Sequence, residues 1–89
     1  MRTIDMRNTR KVPFEELRRF LHALNFRYKR AETAWVFRHP TEGLVVFRLY
    51  RDDEPVDARD LWSTRRFLDL RGVLAGEEFD AFLRRATPA

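Results

Sequence analysis

Apolar residues along this chain change their spacing several times, and each change marks an element. Phe14, Leu17, Phe20, Leu21 and Leu24 recur at steps of three and four, which makes one stripe on a helix. Val12-Pro13 precedes that stripe, and proline suits a helix start. Glu15 and Glu16 fall in the first turn, where the helix dipole favours negative charge. Asn25 is the expected stop, because asparagine tolerates the left-handed conformation that ends helices. The period then falls to two. Phe26, Tyr28 and Arg30 alternate with Arg27 and Lys29, and Trp35 and Phe37 alternate with Val36 and Arg38. Both runs read as half-buried strands. His39-Pro40-Thr41-Glu42-Gly43 is turn chemistry, with proline for a fixed φ and glycine for a positive one. Leu44 to Tyr50 reads as a third strand, apolar on both faces for most of its length. That pattern predicts a central strand, or one whose face meets a partner. Three consecutive strands form an antiparallel meander.

The helical period returns after the acidic, proline-stopped run Arg51-Asp52-Asp53-Glu54-Pro55. A second helix is expected from about Asp57 to Arg71, with Asp57 as N-cap and Gly72 as its end. Ala58, Leu61, Trp62, Arg65 and Leu68 share one face, while Phe67 and Leu70 fall on the opposite one. A helix apolar on both sides needs a second cover. The final helix, about Glu77 to Arg85 with Phe79, Phe82 and Leu83 as its stripe, could supply it, or another chain could. Phe67 and Leu70 are thus a candidate homo-oligomer surface. The expected fold class is α+β: one small domain with a helix, a three-stranded antiparallel sheet, a helix and a short C-terminal helix. Residues 1–11 are polar and aperiodic and read as a basic arm, leaving residues 12–89 as the domain.

Eighty-nine residues fit a single domain with a modest core. There are no cysteines, so neither a disulfide framework nor a thiolate metal cluster is available. No apolar run approaches the length of a membrane span, and Met1-Arg2-Thr3-Ile4-Asp5 is too polar for a secretory signal. A cytoplasmic protein is the expectation. The net charge is +4, unevenly placed. Residues 1–31 carry nine Arg or Lys against three Asp or Glu, and residues 32–89 carry nine against eleven. A basic end suits nucleic acid, an anionic membrane or an acidic protein.

The run from Arg30 to Gly43 resembles the hairpin of the HicA toxins, small ribonucleases of bacterial toxin–antitoxin pairs. In that family a Gly-Ser-His triplet opens a strand, and an aromatic, Lys/Arg-His-Pro and a turn ending near glycine follow. Phe37, Arg38, His39, Pro40, Thr41 and Gly43 match the second half. Leu61, Arg65, Arg66, Leu68, Asp69 and Gly72 resemble the second helix of longer members, so the likeness runs from about Val12 to Leu83. It implies a fold like that of double-stranded-RNA-binding domains, metal-independent cleavage of mRNA, and neutralisation by an acidic antitoxin of the HicB type. The first half of the hairpin departs from the family, because Glu32-Thr33-Ala34 stands where Gly-Ser-His belongs. Ala34 therefore occupies the position of the catalytic histidine.

That departure bears directly on the chemistry. Cleaving RNA without a metal needs a base for the 2′-hydroxyl and an acid for the leaving oxygen, work suited to imidazole. The two histidines are His22, read as a helix surface residue, and His39, read as shaping the turn by a hydrogen bond. Ala34 and His39 are five positions apart, so an unbroken strand puts them on opposite faces. His39 and Glu32 remain the only candidates for a substitute base, Glu32 on condition of burial. Glu32 also brings negative charge to a place where phosphate would approach.

RNA contacts are expected from Arg10, Lys11, Arg27, Lys29, Arg30 and Arg38, with Arg7, Arg18 and Arg19 as further cations. Such contacts would be salt-dependent. Tyr28 and Trp35 could stack on bases, although the parity of Trp35 with Phe37 favours the core. Asp52, Asp53 and Glu54 are the one run that could meet a hard cation, and a solvated loop is the plainer reading. No cofactor motif is visible. Two functions follow: an RNA-binding HicA-like protein with cleavage weakened or lost, or a non-enzymatic protein-interaction module on the same scaffold.

Overall fold

The computed structural model describes residues 11–87, so most of the expected basic arm, Arg10 included, lies outside the described residues. The order is α1 (Phe14–Ala23), β1 (Arg27–Arg30), β2 (Trp35–His39), β3 (Gly43–Phe47), α2 (Ala58–Leu70) and α3 (Gly76–Ala86). The fold is α+β, with one three-stranded antiparallel sheet in the order β1-β2-β3. No helix among the described residues is long and apolar enough to cross a membrane.

The helix ends follow from particular residues. Asn25 has φ 77°. Its N–H donates to His22 O at 3.0 Å, and Phe26 N–H donates to Leu21 O at 3.1 Å. These two bonds are a Schellman closure, with buried Phe26 and Leu21 as its apolar contact. The same closure ends α2, where Gly72 has φ 70°. There Gly72 N–H donates to Asp69 O and Val73 N–H to Leu68 O, at 3.1 and 2.9 Å.

Helix starts are handled differently. Pro13 stands at the N-cap of α1 and offers no side-chain bond. The freed amides of Phe14 and Glu15 donate instead to Glu54 O and Asp52 O, both at 2.9 Å. The acidic loop is therefore structural, since its carbonyls cap α1. Val56 N–H donates to Val12 O at 2.9 Å and ties the loop down. Asp57 occupies the N-cap position of α2 as expected, but its carboxylate makes no cap bond and lies 3.6 Å from Arg48 Nε.

Phe14, Leu17 and Leu21 of α1 pack with Phe37 and Phe47 of the sheet, Leu61 and Leu68 of α2, and Phe79 and Phe82 of α3. Phe14 stacks on Tyr50 at 5.2 Å between ring centres and meets Phe47 edge-on at 6.0 Å. Phe20 stacks on Phe82 at 4.0 Å, joining α1 to α3. Burying these rings is the main stabilising term of so small a domain.

Four sequence expectations are corrected. Phe26 precedes β1 rather than opening it, because the Schellman closure claims it. The third strand ends at Phe47 and lies at an edge, since a meander centres its second strand; its apolar Leu44 and Val46 are exposed (45% and 52%). Trp62 is exposed, and Thr64 takes the buried place on α2 by donating its hydroxyl to Asp60 O at 2.7 Å. Phe67 and Leu70 do not form a shared exposed face. Phe67 is half-buried against the core, close to Gly43 and Phe26, and Leu70 alone is exposed. The second cover of α2 is the end of the sheet.

Candidate nucleic-acid interface

Strand register decides which cations meet. Arg27 lies opposite Arg38, and Lys29 opposite Val36. Arg38 in turn lies opposite Leu44, and Val36 opposite Val46. Side chains directly opposite share a face. Phe37 and Phe47 are buried, so the alternate positions Arg27, Lys29, Val36, Arg38, Leu44 and Val46 form the open face of the sheet. It is cationic along β1 and β2 and apolar along β3.

Arg27, Lys29 and Arg38 are exposed, and among the described residues none has a carboxylate within 4.0 Å. Other arginines do. Arg18 pairs with Asp52, Arg19 with Glu15 and Glu16, Arg48 with Glu54 and Asp57, Arg51 with Asp53 and Glu54, and Arg65 with Asp80. Arg18 is mostly buried, and among the described residues its Nε has no hydrogen-bond partner. Asp52, Asp53 and Glu54 are engaged by these pairs. Among the described residues no three metal-ligating side chains cluster.

The register leaves two sequence candidates off the open face. Arg30 pairs with Trp35 on the opposite parity, and Lys11 precedes α1, outside the sheet. Both are exposed. The aromatic candidates also point elsewhere. Trp35 packs on Phe14 at 5.3 Å and donates its indole N–H to Tyr50 O at 3.2 Å. Tyr28 lies beside Phe37 at 5.4 Å, with the Arg18 guanidinium 5.6 Å from its ring centre. The open face thus carries cations and aliphatic groups but no ring for a base to stack on.

Ala34 closes the β1–β2 hairpin, where Ala31 N–H donates to Ala34 O at 2.8 Å. Glu32 and Thr33 form its exposed tip, so the burial on which a catalytic Glu32 depended is absent. His39 stands at the other end of β2. The register runs unbroken from Trp35 to His39, so His39 is roughly 16 Å along the strand from Ala34 and on the other face. Its Nδ1 accepts the backbone N–H of both Thr41 and Glu42 at 3.2 Å. Phe26 meets the ring at 5.1 Å. These contacts fit a turn-shaping role and hold the imidazole away from the hairpin tip. His22 is exposed in the last turn of α1, its ring edge-on to Tyr28 at 5.8 Å.

A polar network ties the loop to α2. Tyr50 is buried, and its hydroxyl donates to Asp60 Oδ2 at 2.6 Å while accepting Asp57 N–H at 2.9 Å. Burial, then that bond to a carboxylate, pushes the phenol well above its ordinary range. Glu54 is held below the usual carboxylate range, first by the N–H of Arg51 at 3.0 Å and then by Arg48 at 2.9 Å. Both groups fix the loop that caps α1. Sequence reasoning missed them because their partners are backbone atoms and residues brought near by the fold.

No protein-family model, curated protein or solved structure matches this chain.

Proposed function

We propose that this chain is a HicA-like RNA-binding domain whose ribonuclease chemistry is weakened or absent. The observation that carries the reading is the cross-strand pair Arg27–Arg38 with Lys29 beside it, on an open face and without carboxylate partners among the described residues. Like charges set opposite one another cost folding free energy. A polyanion laid across them turns that cost into affinity. The element order supports the double-stranded-RNA-binding-like arrangement that the resemblance implies. The HicA resemblance implies a bacterial cytoplasmic protein, and an acidic antitoxin would be attracted by the same cations.

Cleavage fails in this reading for want of a proton carrier. Ala34 has no titratable group, His39 is remote and engaged, and Glu32 is solvated. The test compares the natural protein with Ala34→His on a labelled RNA in the presence of a chelator. The natural protein should bind without cutting, and the variant should gain cleavage. Robust chelator-resistant cutting by the natural protein would refute the reading. A second reading, a protein-interaction module, is favoured by the exposure of Leu44 and Val46 on that same face.

A further inference from the structure

The two edges of the sheet are built differently. β1 is Arg27-Tyr28-Lys29-Arg30, exposed throughout, with three charges in four residues. Charged edges discourage pairing with another strand. β3 is Gly43-Leu44-Val45-Val46-Phe47. It has no charge, no proline and no bulge, and its register with β2 is continuous.

Its free hydrogen-bonding groups can be located. The bond from Ala31 N–H to Ala34 O makes that pair a hydrogen-bonded one. Alternation along an antiparallel ladder then turns the amides of Val36 and Arg38 toward β1 and those of Trp35, Phe37 and His39 toward β3. On β3, Gly43, Val45 and Phe47 face β2, which leaves the N–H and C=O of Leu44 and Val46 on the outer edge. Among the described residues nothing pairs with them.

We propose that β3 is a self-association edge, and that two copies of this chain join their sheets there across a twofold axis. An antiparallel pairing with Val45 opposite its own copy sets Leu44 opposite Val46 at both ends of the seam. Each such pair exchanges two backbone hydrogen bonds, and all four exposed aliphatic side chains meet on one face. The same register sets Glu42 opposite Arg48, so unlike charges flank the seam. Arg48 already holds Glu54 at 2.9 Å, so this flanking pair guides register more than it adds strength. Shifting by one pair either way sets Leu44 opposite itself and Val46 opposite Glu42, or Val46 opposite itself and Leu44 opposite Arg48. Each alternative loses an apolar pair. β1 cannot serve as the mate of β3, because it would set Arg27, Lys29 or Arg30 against the aliphatic edge. The assembly therefore closes as a dimer rather than growing as a filament. The inference does not rest on RNA binding.

Five residues of edge bury less than a standard interface of about 1,200–2,000 Å², so association should be weak. Sedimentation equilibrium from about 10 μM to about 1 mM should show the mass rising toward twice that of the chain. Val46→Pro removes an N–H that points at the open edge and leaves the β2–β3 ladder its bonds. It should stay monomeric throughout while keeping the natural circular dichroism spectrum. If that variant fails to fold, Val46→Lys serves, with a charge at the seam and the backbone intact. Leu70→Ala, at the exposed apolar position of α2, should dimerise like the natural protein. A natural protein that remains monomeric at 1 mM would overturn the proposal. So would a dimer undiminished by either change at Val46.

Discussion

Replacing Arg38 by glutamine should make the domain more stable and the RNA complex weaker, a combination that few surface changes give. The side chains of Arg27 and Arg38 project from directly opposed positions on one face. Their Cα atoms are about 5.5 Å apart in a hydrogen-bonded pair. With the guanidinium groups roughly 7 Å apart in water, the repulsion is about 0.6 kcal/mol, inside the range measured for opposed side chains. Arg38→Gln relieves it and keeps two of the three methylenes of the stem. In a domain of this size the melting temperature should rise by roughly 2–5 °C at low salt. The gain should vanish near 1 M salt, where the screening length is about 3 Å. Three phosphate contacts to single-stranded RNA predict a slope of about −2.1 for log affinity against log salt, and two predict about −1.4. Between 50 and 200 mM salt the natural protein should lose roughly 18-fold in affinity and the variant roughly 7-fold. Thermal melts at two salt concentrations and fluorescence anisotropy across a salt series read both quantities. A variant less stable than the natural protein at low salt would refute the electrostatic account of the pair. An unchanged salt slope would remove Arg38 from the RNA interface.

Two further outcomes concern the loop that caps α1. Tyr50→Phe deletes a hydroxyl that bonds Asp60 and Asp57 N–H together. Loss of a bond to a carboxylate at a buried ring should cost about 2 kcal/mol and lower the melting temperature by roughly 10 °C. Because the folded state raises the phenol's pKa, its contribution is complete below about pH 10 and fades as pH rises beyond that. The natural protein should therefore show an alkaline loss of stability that the phenylalanine variant shows less. The sign is opposite for Glu54, whose folded pKa is depressed. Its contribution is complete above about pH 4.3 and is lost as pH falls toward the folded value. Urea midpoints between pH 3 and 6 should drop less in Glu54→Gln than in the natural protein, and parallel curves would count against the assignment.

Local signals in the sequence placed every element of the described fold. Asn25 and Gly72 end their helices in the left-handed conformation that their residue types suggest, and the alternation around Tyr28 and around Trp35 and Phe37 marks the two strands that Glu32-Thr33 joins. What stayed hidden depends on atoms distant in the chain. No residue type announces that Glu54 O and Asp52 O will cap α1. The preference for Thr64 over Trp62 inside depends on how α2 is rotated, which helical spacing fixes only to within about a residue. The candidate interface shows the same division. Arg27, Lys29, Arg30 and Arg38 are visible as cations, and strand alternation already sets Arg30 apart from Arg27 and Lys29, but only the register puts Arg38 opposite Arg27. A slip of one residue would have sent the whole set to the other face.

The two halves of the proposed function place opposite demands on the fold. The hairpin tip at Glu32, Thr33 and Ala34 supplies no side chain to the core, so its sequence can change with little effect on folding. A histidine at position 34 would be tolerated, and its absence confers no obvious stability. The arginine pair is the reverse case: opposed like charges disfavour folding, and the proposed polyanion ligand would relieve that cost. On the proposed reading, proton transfer at the tip and polyanion binding on the sheet can change separately, because they would draw on different parts of one hairpin. His39 completes the separation. Its ring nitrogen holds the Thr41 and Glu42 amides at the far end of β2, so the second turn needs its imidazole where it stands, and moving that group toward Ala34 would leave two backbone donors without their acceptor.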